Sequence, residues 1–238
     1  MKKIFFNILI FLSFFLILKS PFAHEINEKQ INKIIKNFLI DNPSLIEKSL
    51  KNYEQQKLKK EFYNALLKLK QIPNPILNGK KNGITIYEFF DYNCGYCKTV
   101  MQGLLNVFND DKNISIVFVE FPILSESSLN ASLAALAAHK QHKYRQFHIN
   151  LMQHKGRITQ NVLLKIAANI KIDLNQFKKD VSNSELMSIV NNNRKIAKKL
   201  NLQGTPAFII GNSIYPGAMN EKDIIKAIRF EREKLIKQ

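Results

Sequence analysis

The sequence predicts an α/β fold in which a β-α-β unit and a β-β-α unit flank an all-helical insert, with a helical extension in front. Three observations carry this. Two short apolar runs, residues 84–90 and 114–121, read as strands on either side of a helical stretch that begins at Cys94. Between Ser127 and about Leu202 no strand pattern occurs, and apolar residues recur there at helical spacing. The strand signal resumes at 207–210, turns at Gly211-Asn212 and returns through 213–215 as a two-residue hairpin.

The 238-residue chain opens with Met1-Lys2-Lys3, an apolar run from Ile4 to Leu18 broken only by Asn7 and Ser13, and then Lys19-Ser20-Pro21-Phe22-Ala23. This is the layout of a secretory signal. At ~1.5 Å per residue the run falls short of a ~30 Å hydrocarbon core. Cleavage after Ala23 is therefore expected, and a retained N-terminal anchor in the inner membrane is the alternative. The formal net charge of +17 is carried mostly by lysines scattered along helical stretches. No arginine-rich arm or aromatic-interleaved basic run accompanies it, so a solvated basic surface is expected and nucleic acid is not.

Residues 25–71 show helical spacing in the sets Ile31, Ile34, Ile35, Phe38, Leu39; Ile46, Leu50, Tyr53; and Phe62, Ala65, Leu66, Leu69. Asn42 is read as the cap of the second helix, with Pro43 in its first turn. No strands lie nearby to bury these stripes, so self-association is expected. Residues 72–75 read as a linker and 79–83 as a turn. Strand, helix and strand with short connections then imply a right-handed parallel unit, whose helix buries Val100, Leu104 and Leu105. In the insert, residues 129–138, 147–152, 162–170 and 186–200 are read as helices. Asn220 is read as the cap of a final helix running toward Lys237.

The two cysteines stand in Cys94-Gly95-Tyr96-Cys97, directly after the first strand. In a helix starting at Cys94 they lie one turn apart on one face, at Cα separations that a disulfide can span. The first sits where unpaired backbone N–H groups and the helix dipole favour a thiolate, and the second is placed to displace whatever the first captures. An oxidising compartment permits disulfides, but a bridge enclosing two residues restrains the unfolded chain very little. The pair therefore reads as a reversible redox centre.

The motif Glu88-Phe89-Phe90-Asp91-Tyr92-Asn93-Cys94-Gly95-Tyr96-Cys97 and the downstream Gly204-Thr205-Pro206-Ala207 resemble those of the DsbA-like proteins, which have a thioredoxin fold interrupted by a helical domain. The resemblance covers about Pro75 to Lys237. It implies that Cys94 is the nucleophile and Cys97 the resolving thiol. It implies a cis peptide before Pro206, with the backbone of Thr205 offered to an extended substrate. It also implies a buried acid beneath the cysteines, here Glu88, accepting a proton from Cys97. With no cation between the cysteines, the thiolate is expected to be less extremely favoured than in relatives carrying histidine there. Tyr96 is expected to be exposed and to contact substrate, Tyr92 and Phe121 to be core, and Lys98 to be an exposed lysine.

His139 and His142 form an H-x-x-H pair read on a helix, and His148 and His154 read as surface residues. Beside the cysteines they raise a zinc or copper site as a competing reading. Their separation from Cys97 argues against a compact zinc site, and no cofactor or resident metal is expected. The Gly-Tyr dipeptide and Thr205 resemble periplasmic isomerases more than strong oxidants. The helical extension resembles the oligomerisation segment of the ScsC-like (suppressor of copper sensitivity) branch.

The resulting expectation is a periplasmic thiol:disulfide oxidoreductase leaning to isomerase or reductase, with a DsbA-type oxidase as alternative. Its expected partners are misoxidised protein chains and a membrane thiol reductase or oxidase. A homo-oligomer is expected through residues 24–74, with a trimer as first choice. The expected divisions are a signal at 1–23, the helical segment and linker at 24–74, a thioredoxin-like domain at 75–126 and 203–238, and the insert at 127–202.

Overall fold

A computed structural model describes residues 27–81 and 83–236. The expected signal at residues 1–23, and Asn82 within the expected 79–83 turn, lie outside the described residues. Two compact units divide between Lys57 and Leu58.

The first unit holds helix α1 (Glu28–Asp41) and the front of α2 (Pro43–Gln71). Asn27 and Gln30 form a reciprocal capping box that starts α1. Pro43 opens α2 as expected, since its missing N–H is one the helix would leave unpaired anyway. The capping role of Asn42 is corrected. Its Nδ2 donates backward to the carbonyl of Phe38 at 2.9 Å and closes α1 instead. Ile34, Phe38, Leu50 and Tyr53 are exposed apolar residues of this unit.

In the second unit, the last turns of α2 bury Ala65, Leu66 and Leu69. Strands β1 (Ile76–Leu77), β2 (Ile84–Phe90), β3 (Ile114–Glu120), β4 (Ala207–Ile210) and β5 (Ser213–Pro216) form one sheet in the order β1-β3-β2-β4-β5. Only β2 and β3 pair in parallel, with Glu88 opposite Phe118 and Phe90 opposite Glu120. Helix α3 (Gly95–Asp110) joins β2 to β3, and α9 (Glu221–Ile236) follows β5. The backbone N–H of Asp223 donates to the side chain of Asn220 at 3.0 Å, which makes Asn220 the expected start of α9.

Both faces of the sheet are covered. Ile86, Phe90, Ile116 and Phe118 join α3, α9 and the insert in one core, while Tyr87, Phe89, Val117 and Val119 join the end of α2 and the end of α8 in another. Double-sided burial is why the strands read as continuous apolar runs rather than as clean alternation.

The insert comprises α4 (Glu126–Lys140), α5 (Tyr144–Gln153), α6 (Gln160–Asn169), α7 (Leu174–Val181) and α8 (Ser184–Lys199). Ser125, Thr159, Asp173 and Asn183 start α4, α6, α7 and α8 by accepting from backbone N–H groups of the first turn. Helix α7 has no counterpart among the expected helices, because it buries a single apolar side chain, Phe177. Residues 72–75 carry no helix or strand, yet they are fastened. The carbonyl of Pro75 accepts from the N–H of Phe118 at 2.9 Å, and Asn74 is buried against Asn193.

Candidate redox site

The site begins where β2 ends. Asp91 accepts the N–H of Asn93 on one carboxylate oxygen at 2.7 Å and those of Ile123 and Leu124 on the other at 2.8 and 3.0 Å. Its main-chain carbonyl accepts the N–H of Cys94 at 3.0 Å. Asn93 reaches the hydroxyls of Ser125, Ser127 and Ser128 with its Nδ2, at 2.8–3.0 Å. The turn that presents Cys94 is thus bolted to the segment leading into α4. In the sequence Asp91 and Asn93 stand out only as part of the motif. Their signal is local, since short Asx side chains at a strand-to-helix junction hydrogen-bond nearby backbone.

Cys94 is the N-cap of α3, and its Sγ accepts from the N–H of Cys97 at 3.3 Å. The Cys94 thiol also lies 3.2 Å from the carbonyl of Thr205, to which it donates. Both cysteines are free and buried. The Cys97 thiol is pushed up, first by burial and then by its hydrogen bond with Cys94, with the charge of Glu88 acting in the same direction. Glu88 is almost completely buried, neither of its oxygens has a hydrogen-bond partner among the described residues, and burial pushes its carboxyl up to about 8. It shares a sheet face with Ile86 and Phe90, on the side of α3.

The Thr205–Pro206 peptide is cis. Pro206 is buried and Thr205 half-buried, beside a hollow of about 440 Å³ lined by Gln203, Gly204, Thr205, Pro206, Ile214 and Pro216. Tyr96 is 71% exposed, whereas Tyr92 and Phe121 are core. The structure thus brings Cys94, Cys97 and Thr205 into direct contact, with Glu88 acting on Cys97 and Tyr96 facing outward.

Three expectations need correction. Lys98 is half-buried rather than exposed. Its amine donates to the carbonyl of His154 at 2.7 Å, and burial lowers its pKa. His148 is 1% exposed, not a surface residue, because the face of α5 that carries it turns into the core. His139 and His142 do not share a helix, since α4 ends at Lys140 and His142 follows at φ 58°. Among the described residues no group of three or more His, Cys, Asp or Glu side chains is placed to hold a metal ion.

A helix whose first residues form a C-x-x-C pair, facing a cis-proline that opens an antiparallel strand, is the working end of a thioredoxin-fold oxidoreductase. In this chain that fold is split by five helices. The DSBA-like thioredoxin domain is matched over residues 85–229, more than half of the sequence, and the chain belongs to that family of thiol:disulfide oxidoreductases. The probable disulfide bond formation protein D of Bacillus cereus is 29% identical over 147 residues, covering 56% of this chain and 68% of that protein. Among solved structures, a thioredoxin-like oxidoreductase from Silicibacter pomeroyi is 34% identical with a TM-score of 0.67, covering 70% of this chain and 96% of the other. The catalytic domain of Proteus mirabilis ScsC is 25% identical with a TM-score of 0.65, covering 73% and 97%. The expected family and the expected α/β architecture are both borne out.

Proposed function

We propose that the protein is an exported oxidoreductase that rearranges or reduces disulfides in other protein chains through Cys94 and Cys97. The observation that carries this is the position of Cys94 Sγ, within reach of both the Cys97 N–H and the Thr205 carbonyl. Cys94, as thiolate, attacks a substrate disulfide; one substrate sulfur leaves as thiolate and takes up a proton, and a mixed disulfide remains. Cys97 then loses its proton and attacks Cys94 Sγ, which releases the second substrate sulfur and leaves Cys94 and Cys97 bridged. Two electrons have passed to the substrate. Glu88, when ionised, receives the proton of Cys97; with burial pushing its carboxyl up to about 8, it is closer to a thiol in proton affinity than an ordinary carboxylate is. Thr205 lends its backbone to an extended client segment, and Tyr96 supplies apolar surface beside it.

The isomerase leaning is supported by the Gly95-Tyr96 dipeptide, by Thr205, and by the uncovered apolar residues of α1 and α2. Residues 24–74 join copies of the chain, with a trimer as the first expectation, and several active sites then engage one misfolded client at raised effective concentration. Because Ala65, Leu66 and Leu69 belong to the core, the clean test of assembly is a chain beginning at Leu58 rather than at Pro75. Light scattering should give it a smaller particle than the chain from residue 24, and an equal oligomeric state would refute this role.

The name of the Bacillus relative favours a second reading, a dithiol oxidase. Reactivation of a scrambled-disulfide test enzyme by the reduced protein, with Cys94→Ser as control, separates the two. Reactivation that is lost in the control supports the isomerase. Rapid oxidation of a reduced substrate without reactivation supports the oxidase.

Export places the protein in the periplasm after cleavage behind Ala23, or leaves it anchored by residues 1–23. Its partners would be misoxidised chains and a membrane thiol reductase or oxidase.

A further inference from the structure

Tyr92 stands two residues before Cys94 and is fully buried. Its hydroxyl meets groups from two other elements. It donates to Oε1 of Glu120, the last residue of β3, at 3.1 Å, and lies 3.1 Å from Nδ1 of His148 in α5. Tyr144, also in α5, donates to the same Glu120 oxygen at 2.8 Å. The His148 ring stacks on Tyr144 and packs edgewise or tilted against Phe90 and Phe118. Among the described residues Glu120 Oε2, Ser132 Oγ and His148 Nε2 are buried without a partner at hydrogen-bond geometry, and the Ser132 hydroxyl favours the ionised form of Glu120. A closed polar cluster therefore ties the nucleophile's turn, the central sheet and the insert together through one phenol.

We propose that Glu120, Tyr144 and His148 are positioning residues for Cys94, acting through Tyr92, and that the proton they share sets the direction of the Tyr92 hydroxyl. The proposal rests on reading Cys94 as the nucleophile.

A phenol has one hydrogen to give. With Glu120 ionised, both tyrosines donate to its Oε1, and the Tyr92 oxygen is left to accept from His148, which must carry its proton on Nδ1. With Glu120 protonated on Oε1, the oxygen both tyrosines reach, its own hydrogen satisfies the Tyr92 oxygen while Tyr144 still donates to it. Tyr92 is then free to donate to Nδ1, and the histidine proton sits on Nε2. The tautomer of His148 thus reports the proton of Glu120.

Burial holds both groups neutral, pushing Glu120 up to about 8 and His148 down to about 3. The titratable groups around the cluster are Asp91, whose charge also raises Glu120, Glu88, which raises Tyr92, and His139 of α4, whose ring packs edgewise on Tyr144, together with the two tyrosines. Asp91 is the residue that clamps the turn in front of Cys94. Ionising Glu120 therefore places a second negative charge beside that clamp while it turns Tyr92 around.

The test uses the full chain with ¹⁵N-labelled histidine. In the oxidised protein, where the thiols cannot titrate, His148 should shift from the Nε2–H to the Nδ1–H tautomer between pH 6.5 and 9.5. Glu120→Gln, which keeps an oxygen for both tyrosines, should abolish that shift. In the reduced protein, alkylation of Cys94 should show a step near pH 8 that Glu120→Gln removes. Tyr92→Phe should slow alkylation about tenfold, the scale of a small misplacement of a reacting group. A His148 tautomer indifferent to pH, or a Glu120→Gln protein matching the parent in both profiles, overturns the proposal even if Tyr92→Phe does not fold. If instead the parent shows no Cys94 alkylation above Cys94→Ser while the tautomer still titrates, it is the nucleophile reading that fails.

Discussion

The side chains of Asn74 and Asn193 exchange two amide hydrogen bonds, at 3.1 and 2.8 Å, across 119 residues of sequence and inside the protein. The Asn193 amide also donates to the main-chain carbonyl of Glu120 at 3.2 Å, so the segment after α2 is held to the end of β3. Deleting one partner leaves a buried amide unpaired, at a cost of about 1–3 kcal/mol. Asn193→Ala and Asn74→Ala should each lower unfolding stability by about that much in urea titrations. The double variant should lose less than the two losses combined.

Glu88→Leu should separate stability from function. The Glu88 carboxyl binds its proton more tightly in the folded chain, at about 8, than at its ordinary value of 4.5. The folded state therefore holds more protons between those values. The associated stability is fully present below about pH 4.5 and is lost as pH rises through 8. Removing the group should raise stability near pH 8 by a few kcal/mol, because each tenfold change in proton affinity is worth on the order of 1.4 kcal/mol. It should also flatten the decline between pH 5 and 8, with a remainder from Glu120, whose shift has the same sign. Urea midpoints across that range check this. Resolution of mixed disulfides should slow by about 100-fold, the low end for a lost general base.

Cys97→Ser should accumulate mixed disulfides on Cys94, visible as discrete mass increments that reductant removes. A serine hydroxyl at that position cannot expel the captured thiol. Metal ligation by the same thiols would instead trap no client.

Asp91→Ala should free three backbone N–H groups at once, those of Asn93, Ile123 and Leu124. Hydrogen bonds to a carboxylate contribute about 1.5–3 kcal/mol each, and part of that is recovered by water at the half-buried positions. A melting-temperature drop together with slower Cys94 alkylation is expected. A drop in melting temperature alone would mean that the clamp does not serve the nucleophile.

The redox pair was legible because its chemistry is local. Cys94 and Cys97 are one helical turn apart, whereas the cis peptide before Pro206 came only with the family resemblance. Strands β2 and β3 were legible as apolar runs. The cluster on Tyr92 was not, because its hydrogen-bonded partners stand 24 to 56 residues apart and only the fold shows that they touch. The burial of His148 was missed for the same reason, as a histidine among lysines carries no sign of which helix face turns inward. Strand β1 escaped because two residues have no periodicity, and Asn42 because a cap between two abutting helices can serve either one.

Both rims of the sheet stop at proline. Strand β1 is only two residues long and follows Pro75, and β5 ends at Pro216. Proline has no N–H to donate, so neither border offers a run of free main-chain groups on which another chain could extend the sheet. A sheet bordered in this way gives a neighbouring chain no ladder on which to seed aggregation.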